Sequence, residues 1–119
     1  MVVKIGKFFD DFRIFGEEFM TLEDEFNQHL HQIGEATKKY NYNPTYFLRM
    51  LEEYGGIETA KRLLKKSESQ QGLFTLWELG ILHESVEAAV ISEKYQSLFS
   101  KDELAEAHRR LEELGFFNK

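Results

Sequence analysis

Four histidines, a set of glutamates and a row of lysine and arginine are the side chains of this chain that could do chemistry. His29 and His31 stand two residues apart, which on a helix turns them about 200° from one another, so they cannot close on one metal as an i, i+4 pair does. They read as surface residues. His83 lies two residues before Ser85, and His108 falls in the last apolar-periodic stretch. Serine–histidine catalysis needs an oriented acid and an oxyanion hole as well, and closeness in sequence supplies neither. The carboxylates Glu52, Glu53, Glu78, Glu84, Glu87, Glu112 and Glu113 never form the Glu-x-x-His pattern of di-metal helical bundles. They read as solvated helix faces, because unpaired Glu is seldom buried. Cysteine is absent, which excludes thiolate nucleophiles, disulfides and cysteine-based metal sites. These side chains predict no catalytic, cofactor-binding or metal-binding residue, and a protein that is not an enzyme.

Two patterns suit binding instead. Lys61, Arg62, Lys65 and Lys66 form adjacent i, i+4 rows of positive charge on one helical segment. With Lys38, Lys39 and Arg49 nearby in sequence, and Tyr40, Tyr42 or Tyr46 as stacking surfaces, this row is a candidate nucleic-acid contact. The plainer reading is that the lysines complement a helix C-terminus and the tyrosines fill the core, as Trp77, Phe47 and Phe74 are also expected to do. Phe8, Phe12, Phe15 and Phe19 recur at spacings of four, three and four, a single apolar stripe with Asp10, Asp11, Glu17 and Glu18 on other faces. The stripe either closes the protein's own core or docks to a second copy or another protein. Its acidic polar faces suit an anionic membrane poorly.

The elements that must position these residues are helical. Thr21 before Leu22-Glu23-Asp24-Glu25 is a hydroxyl cap followed by acids, and the stripe Leu22, Phe26, Leu30, Ile33, Thr37 and Tyr40 follows at i+3 and i+4. Asn43 as cap and Pro44 as first helical residue start another helix, which runs to Tyr54. Gly55 can take a left-handed cap, and Gly56 lets the chain turn at once into Ile57 to Lys66. Ser67 to Gly72 is polar and aperiodic, so a loop is expected before a helix over Leu73 to Leu79 that Gly80 ends. Ser85 caps a helix with Val86, Ala89 and Val90, and Ser100 with Glu103 has capping-box spacing before Leu104, Ala107, Leu111 and Leu114. No segment alternates with a period of two. The expectation is an all-α, compact single-domain orthogonal bundle of five to seven short helices, with residues 7–40 as an N-terminal helical hairpin.

Length and charge bound the rest. A chain of 119 residues makes one domain, with residues 1–31 as a Phe-rich acidic extension and 32–114 as the helical module. The net charge of −6 is unevenly spread. Residues 1–31 carry three bases against seven acids, residues 32–66 seven against four, and residues 67–119 five against ten. No stretch approaches 18 uncharged apolar residues, and Asp10 and Asp11 interrupt any leader-like run, so a cytoplasmic protein without a membrane span is expected.

Tyr42-Asn43-Pro44-Thr45-Tyr46-Phe47-Leu48-Arg49-Met50-Leu51, Tyr54-Gly55-Gly56-Ile57-Glu58-Thr59-Ala60-Lys61-Arg62-Leu63-Leu64, Leu76-Trp77-Glu78-Leu79-Gly80 and Ser85-Val86-Glu87-Ala88 together resemble a small bacterial all-helical domain family without an established activity. Its members stand alone or sit as a C-terminal module beside larger proteins. The resemblance covers residues 32–114, implies a helical module of prokaryotic or phage origin, and brings no catalytic residue or cofactor. The function expected from residues and resemblance together is a non-enzymatic adaptor that self-associates or docks a protein partner through Phe8, Phe12, Phe15 and Phe19. The alternative is a nucleic-acid-binding accessory protein that uses Lys61, Arg62, Lys65 and Lys66.

Overall fold

The computed structural model describes residues 20–40 and 42–118. Over them the chain forms six α-helices: α1 (Leu22–Thr37), α2 (Thr45–Tyr54), α3 (Gly56–Lys65), α4 (Ser69–Glu78), α5 (Val86–Ile91) and α6 (Lys101–Glu113). Single 3-10 turns at Lys38–Tyr40, Leu82–Glu84 and Gln96–Leu98 join them, and the described residues include no strand. The all-α, single-domain reading holds. The first arm of the expected N-terminal hairpin lies outside the described residues.

Side chains mark where the helices begin. Thr21 Oγ1 accepts from the Asp24 N–H at 3.0 Å while the Asp24 carboxylate reaches back to the Thr21 N–H at 3.4 Å. Ser100 and Glu103 make the same reciprocal box before α6, at 2.8 and 3.1 Å, and Ser85 Oγ accepts from Ala88 N–H at 3.1 Å to start α5. Each side chain satisfies an amide that has no partner within the helix. At α2 the helix starts one residue later than expected. Pro44 precedes the first helical residue, and its carbonyl accepts from Leu48 N–H at 2.8 Å. The Asn43 side chain acts one position early, taking the Thr45 N–H at 3.1 Å and the Thr45 hydroxyl.

Gly55 and Gly56 divide the work at the α2–α3 corner. Gly55 has φ +81° and ψ 171°, a region essentially confined to glycine and distinct from the left-handed cap expected of it. Gly56 is the first residue of α3, and a Cβ there would come within 2.8 Å of the Asn27 Cα, so α3 lies backbone to backbone against α1. The apolar faces close around this crossing. Phe26, Leu30 and Ile33 of α1 meet Leu51, Ala60 and Leu64, with Ala89, Val90, Tyr95, Phe99 and Ala107 completing the core. Phe26 packs edge-on against Tyr95 at 5.1 Å and Phe99 at 5.3 Å, the favoured geometry for aromatic rings. A smaller cluster of Leu73, Leu82 and Leu111 ties α4 to α6.

Two expectations are corrected. Tyr40 ends the α1 stripe in sequence but is 45% exposed, because the chain has already tightened into a 3-10 turn that rotates it outward. Residues 69–72 are helical rather than loop: α4 starts at Ser69, whose hydroxyl donates to the carbonyls of Leu63 and Lys66 at 2.5 and 2.7 Å. Those contacts span six and three residues, and a third, from Arg110 Nη1 at 2.7 Å, comes from 41 residues away, outside the reach of local periodicity.

Candidate functional site

The described surface is concave between α2, α3 and α4. Tyr46, Leu63, Lys66, Glu68, Ser69, Leu76, Val86 and Glu87 line a cavity of about 460 Å³. Its floor holds an ion pair that the sequence did not announce. Glu87 is 5% exposed and Arg110 2%, with Arg110 Nη1 donating to Glu87 Oε2 at 3.1 Å. Arg110 Nε donates to Glu106 at 2.7 Å, Nη1 also to Ser69 Oγ at 2.7 Å and Leu63 O at 3.2 Å, and Nη2 to the carbonyls of Leu64 and Lys66 at 3.0 and 3.1 Å. One guanidinium therefore serves the open carbonyl end of α3, the start of α4 and two carboxylates. A planar fork with five donors suits this role, and a lysine could not fill it.

The two carboxylates on Arg110 differ in environment. Hydrogen bonds from Arg109 and Arg110 hold Glu106 down to about 2. Burial, by contrast, pushes the Glu87 carboxyl up from the ordinary range, and the pull of Arg110 does not cancel it. The Tyr42 hydroxyl is also raised, first by burial and then by the nearby charge of Glu87. The expectation of a solvated acid at Glu87 is corrected, since the residue is 5% exposed. Its place in the first turn of α5, beside the Ser85 cap, turns it inward instead.

The basic row is divided by its neighbours. Lys61 Nζ pairs with both oxygens of Glu103 at 2.9 and 3.1 Å and sits 5.5 Å from the Phe99 ring centre. Arg62 pairs with Glu58 at 3.0 Å and lies 3.9 Å from the Tyr54 ring centre. Lys66 Nζ stands 3.4 Å from the Tyr46 hydroxyl. Lys65 and Lys66 are exposed and have no carboxylate within ion-pair reach among the described residues. Lys38 pairs with Glu35 at 3.3 Å. Phe8, Phe12, Phe15 and Phe19 lie outside the described residues.

The histidines are not brought together. His29 tilts against the Tyr95 ring at 5.6 Å, His83 is 3.9 Å from Glu84, and His108 is 3.7 Å from Glu112. Ser85 is buried and its hydroxyl is engaged in the α5 cap. Among the described residues no group of three or more potential ligands could hold a metal ion.

The expectation that Trp77 and Phe74 fill the core is corrected. Trp77 is 45% exposed and Phe74 39%, and their rings lie 5.2 Å apart. Only Leu73 and Leu76 of α4 face inward, so a short helix at the edge of the bundle shows its aromatic side to solvent. Trp77 also borders a shallow groove of about 310 Å³ whose far wall is Leu114, Gly115 and Phe116. Phe116 meets Phe117 edge-on at 5.2 Å, and Phe117 stacks on His108 at 4.4 Å. An aromatic ridge thus runs from α4 across the groove to the residues after α6. Phe47 does pack against the core.

Comparison of the chain with family models, with curated proteins and with solved structures finds no match in any of the three. No helix of the described residues is long and apolar enough to cross a membrane.

Proposed function

We propose that the protein is a non-enzymatic adaptor that works by docking other proteins. The observation that carries this reading is the aromatic ridge of exposed Phe74, Trp77 and Phe117 with the half-buried Phe116 beside them, since grouped exposed aromatics mark interaction surfaces more often than isolated ones do. Glu78 beside Trp77, Glu84 beside His83 and Glu112 beside His108 give the ridge an acidic border. The fitting occupant is an amphipathic protein segment with apolar side chains and flanking lysine or arginine. The protein's own phenylalanine stripe carries Asp10, Asp11, Glu17 and Glu18 and would meet like charge there. Phe8, Phe12, Phe15 and Phe19 therefore serve as a second docking element, pairing with another copy or another partner, and two such surfaces suit an adaptor in the cytoplasm. The resemblance of residues 32–114 to bacterial modules found beside larger proteins supports the same reading.

Trp77 is the sole tryptophan and sits on the ridge, so its emission reports occupancy. An amphipathic leucine/lysine helix peptide should shift that emission to shorter wavelength, while a leucine/glutamate peptide of the same pattern should not. The F74S/F117S variant should lose the response. Equal responses to both peptides, or an unchanged response in the variant, would sink the proposal.

The nucleic-acid reading is the weaker one. Lys65 and Lys66 beside the exposed Tyr46 ring favour it, but Glu103 and Glu58 already neutralise Lys61 and Arg62. Binding of single-stranded DNA or RNA that is undetectable at low salt, or insensitive to alanine at Lys65 and Lys66, ends it.

A further inference from the structure

The cavity above Glu87 is separate from the ridge and has no part in the docking reading. Its walls are apolar, Leu63, Leu76 and Val86, and its volume of about 460 Å³ is that of small-molecule sites. The polar atoms around it are few and differ in what they still need. Ser69 Oγ is committed: it donates to Leu63 O and Lys66 O and accepts from Arg110. Lys66 rests against the Tyr46 hydroxyl at the mouth. Glu87 gives Oε2 to Arg110, which must also serve Glu106, Ser69 and three carbonyls. Glu87 is thus a 5% exposed carboxylate on the cavity lining whose Oε1 accepts from no other residue among the described residues. Behind the floor Glu106 is shared between Arg109 and Arg110, whereas Glu87 has Arg110 alone, and Glu68 and Lys66 both line the mouth.

We propose that this cavity binds a small primary amine on an aliphatic body, its ammonium donating to Glu87 and its chain lying against Leu63, Leu76 and Val86. A carboxylate of the same length would find Lys66 at the mouth but would meet Glu68 beside it and Glu87 below. A neutral alcohol would bring one donor and no charge.

The test is an amide chemical-shift titration of the full chain with n-hexylamine, n-hexanol and hexanoate at neutral pH. The amine should bind saturably, with shifts centred on Leu63, Leu76, Val86 and Glu87, and about ten-fold more tightly than the alcohol, the worth of one charge-assisted hydrogen bond. Glu87→Gln should erase the preference for amine over alcohol. Leu63→Trp, which fills the cavity and leaves the ion pair intact, should abolish binding of all three and keeps the proposal testable if Glu87→Gln does not fold. Hexanoate binding more tightly than the amine, equal binding by all three, no saturable shift, or amine binding that survives Leu63→Trp would each overturn it.

Discussion

Arg110 has five N–H groups, and the structure finds acceptors for all of its nitrogens while leaving it 2% exposed. Removing it strands the buried Glu87 carboxylate and the Leu64 carbonyl and takes one donor from Glu106, Ser69 and the Leu63 and Lys66 carbonyls. Arg110→Met is therefore expected to destabilise the protein by about 3–5 kcal/mol in urea unfolding, the range for breaking one side of a buried pair. Glu87→Gln removes a buried charge and keeps every other Arg110 partner, so it should cost less, about 1–2 kcal/mol. The reverse ranking would refute the clamp role. Glu106 makes a pH prediction with a definite sign. Its folded pKa of about 2 lies below the ordinary 4.5, so its stabilisation is present above 4.5 and is lost as pH falls towards 2. The stability gap between wild type and Glu106→Gln should shrink over that window. Glu87, raised by burial, works in the opposite sense: its contribution is greatest in acid and is lost as pH rises through its folded value. In α3, Thr59 Oγ1 is buried with no partner among the described residues, so Thr59→Val should be neutral or stabilising by up to about 1 kcal/mol in the same unfolding assay.

The helices meet where small residues allow it. Gly56→Ala drives a methyl to 2.8 Å from the Asn27 backbone, and neither helix can yield cheaply at a contact of that kind. A loss of about 1–3 kcal/mol by thermal or urea unfolding is expected, whereas Ala at Gly72, which would meet only the Tyr42 hydroxyl, should cost less. Helix starts at Thr21, Ser85 and Ser100 were legible in the chain because each rests on a bond three residues away. The same locality explains what was hidden. Arg110 finds Glu87 at a separation of 23 residues and its other distant partners at 41 to 47, beyond any periodic signal. Ser69 starts α4 with a hydroxyl that Arg110 holds from 41 residues away, a contact that the polar, aperiodic stretch around it does not signal. Trp77 and Phe74 share a helix with Leu73 and Leu76, and spacing alone does not say which side of an edge helix meets the core. The cavity, assembled from four separate segments, had no sequence signature at all.

Among the described residues the ridge is an exposed apolar surface, and the sequence adds the phenylalanine stripe outside them. The ridge is described in full and bordered by acids, whereas the phenylalanine stripe is known from its spacing. If the stripe joins two copies, light scattering of the full chain at micromolar concentration should give more than one protomer's mass. Phe12→Ser with Phe15→Ser should return it to one protomer. A single-chain mass for the unmodified protein would refute self-association and leave the ridge proposal standing. A net charge of −6 weakens indiscriminate contact with anionic polymers and makes encounter with a basic partner salt-dependent.

The Arg110 clamp also has a consequence in time. Its guanidinium donates to the Lys66 carbonyl across 44 residues of chain. At ribosomal speeds of roughly 5–20 residues per second, the α3–α4 joint is made about 2–9 s before the side chain that pins it. During that interval a nascent chain carries a helix end whose Leu64 carbonyl lacks its donor and an unfilled berth beside Glu87. The last helix closes the middle of the protein, so a ribosome that pauses ahead of Arg110 should hold the joint in its most vulnerable form.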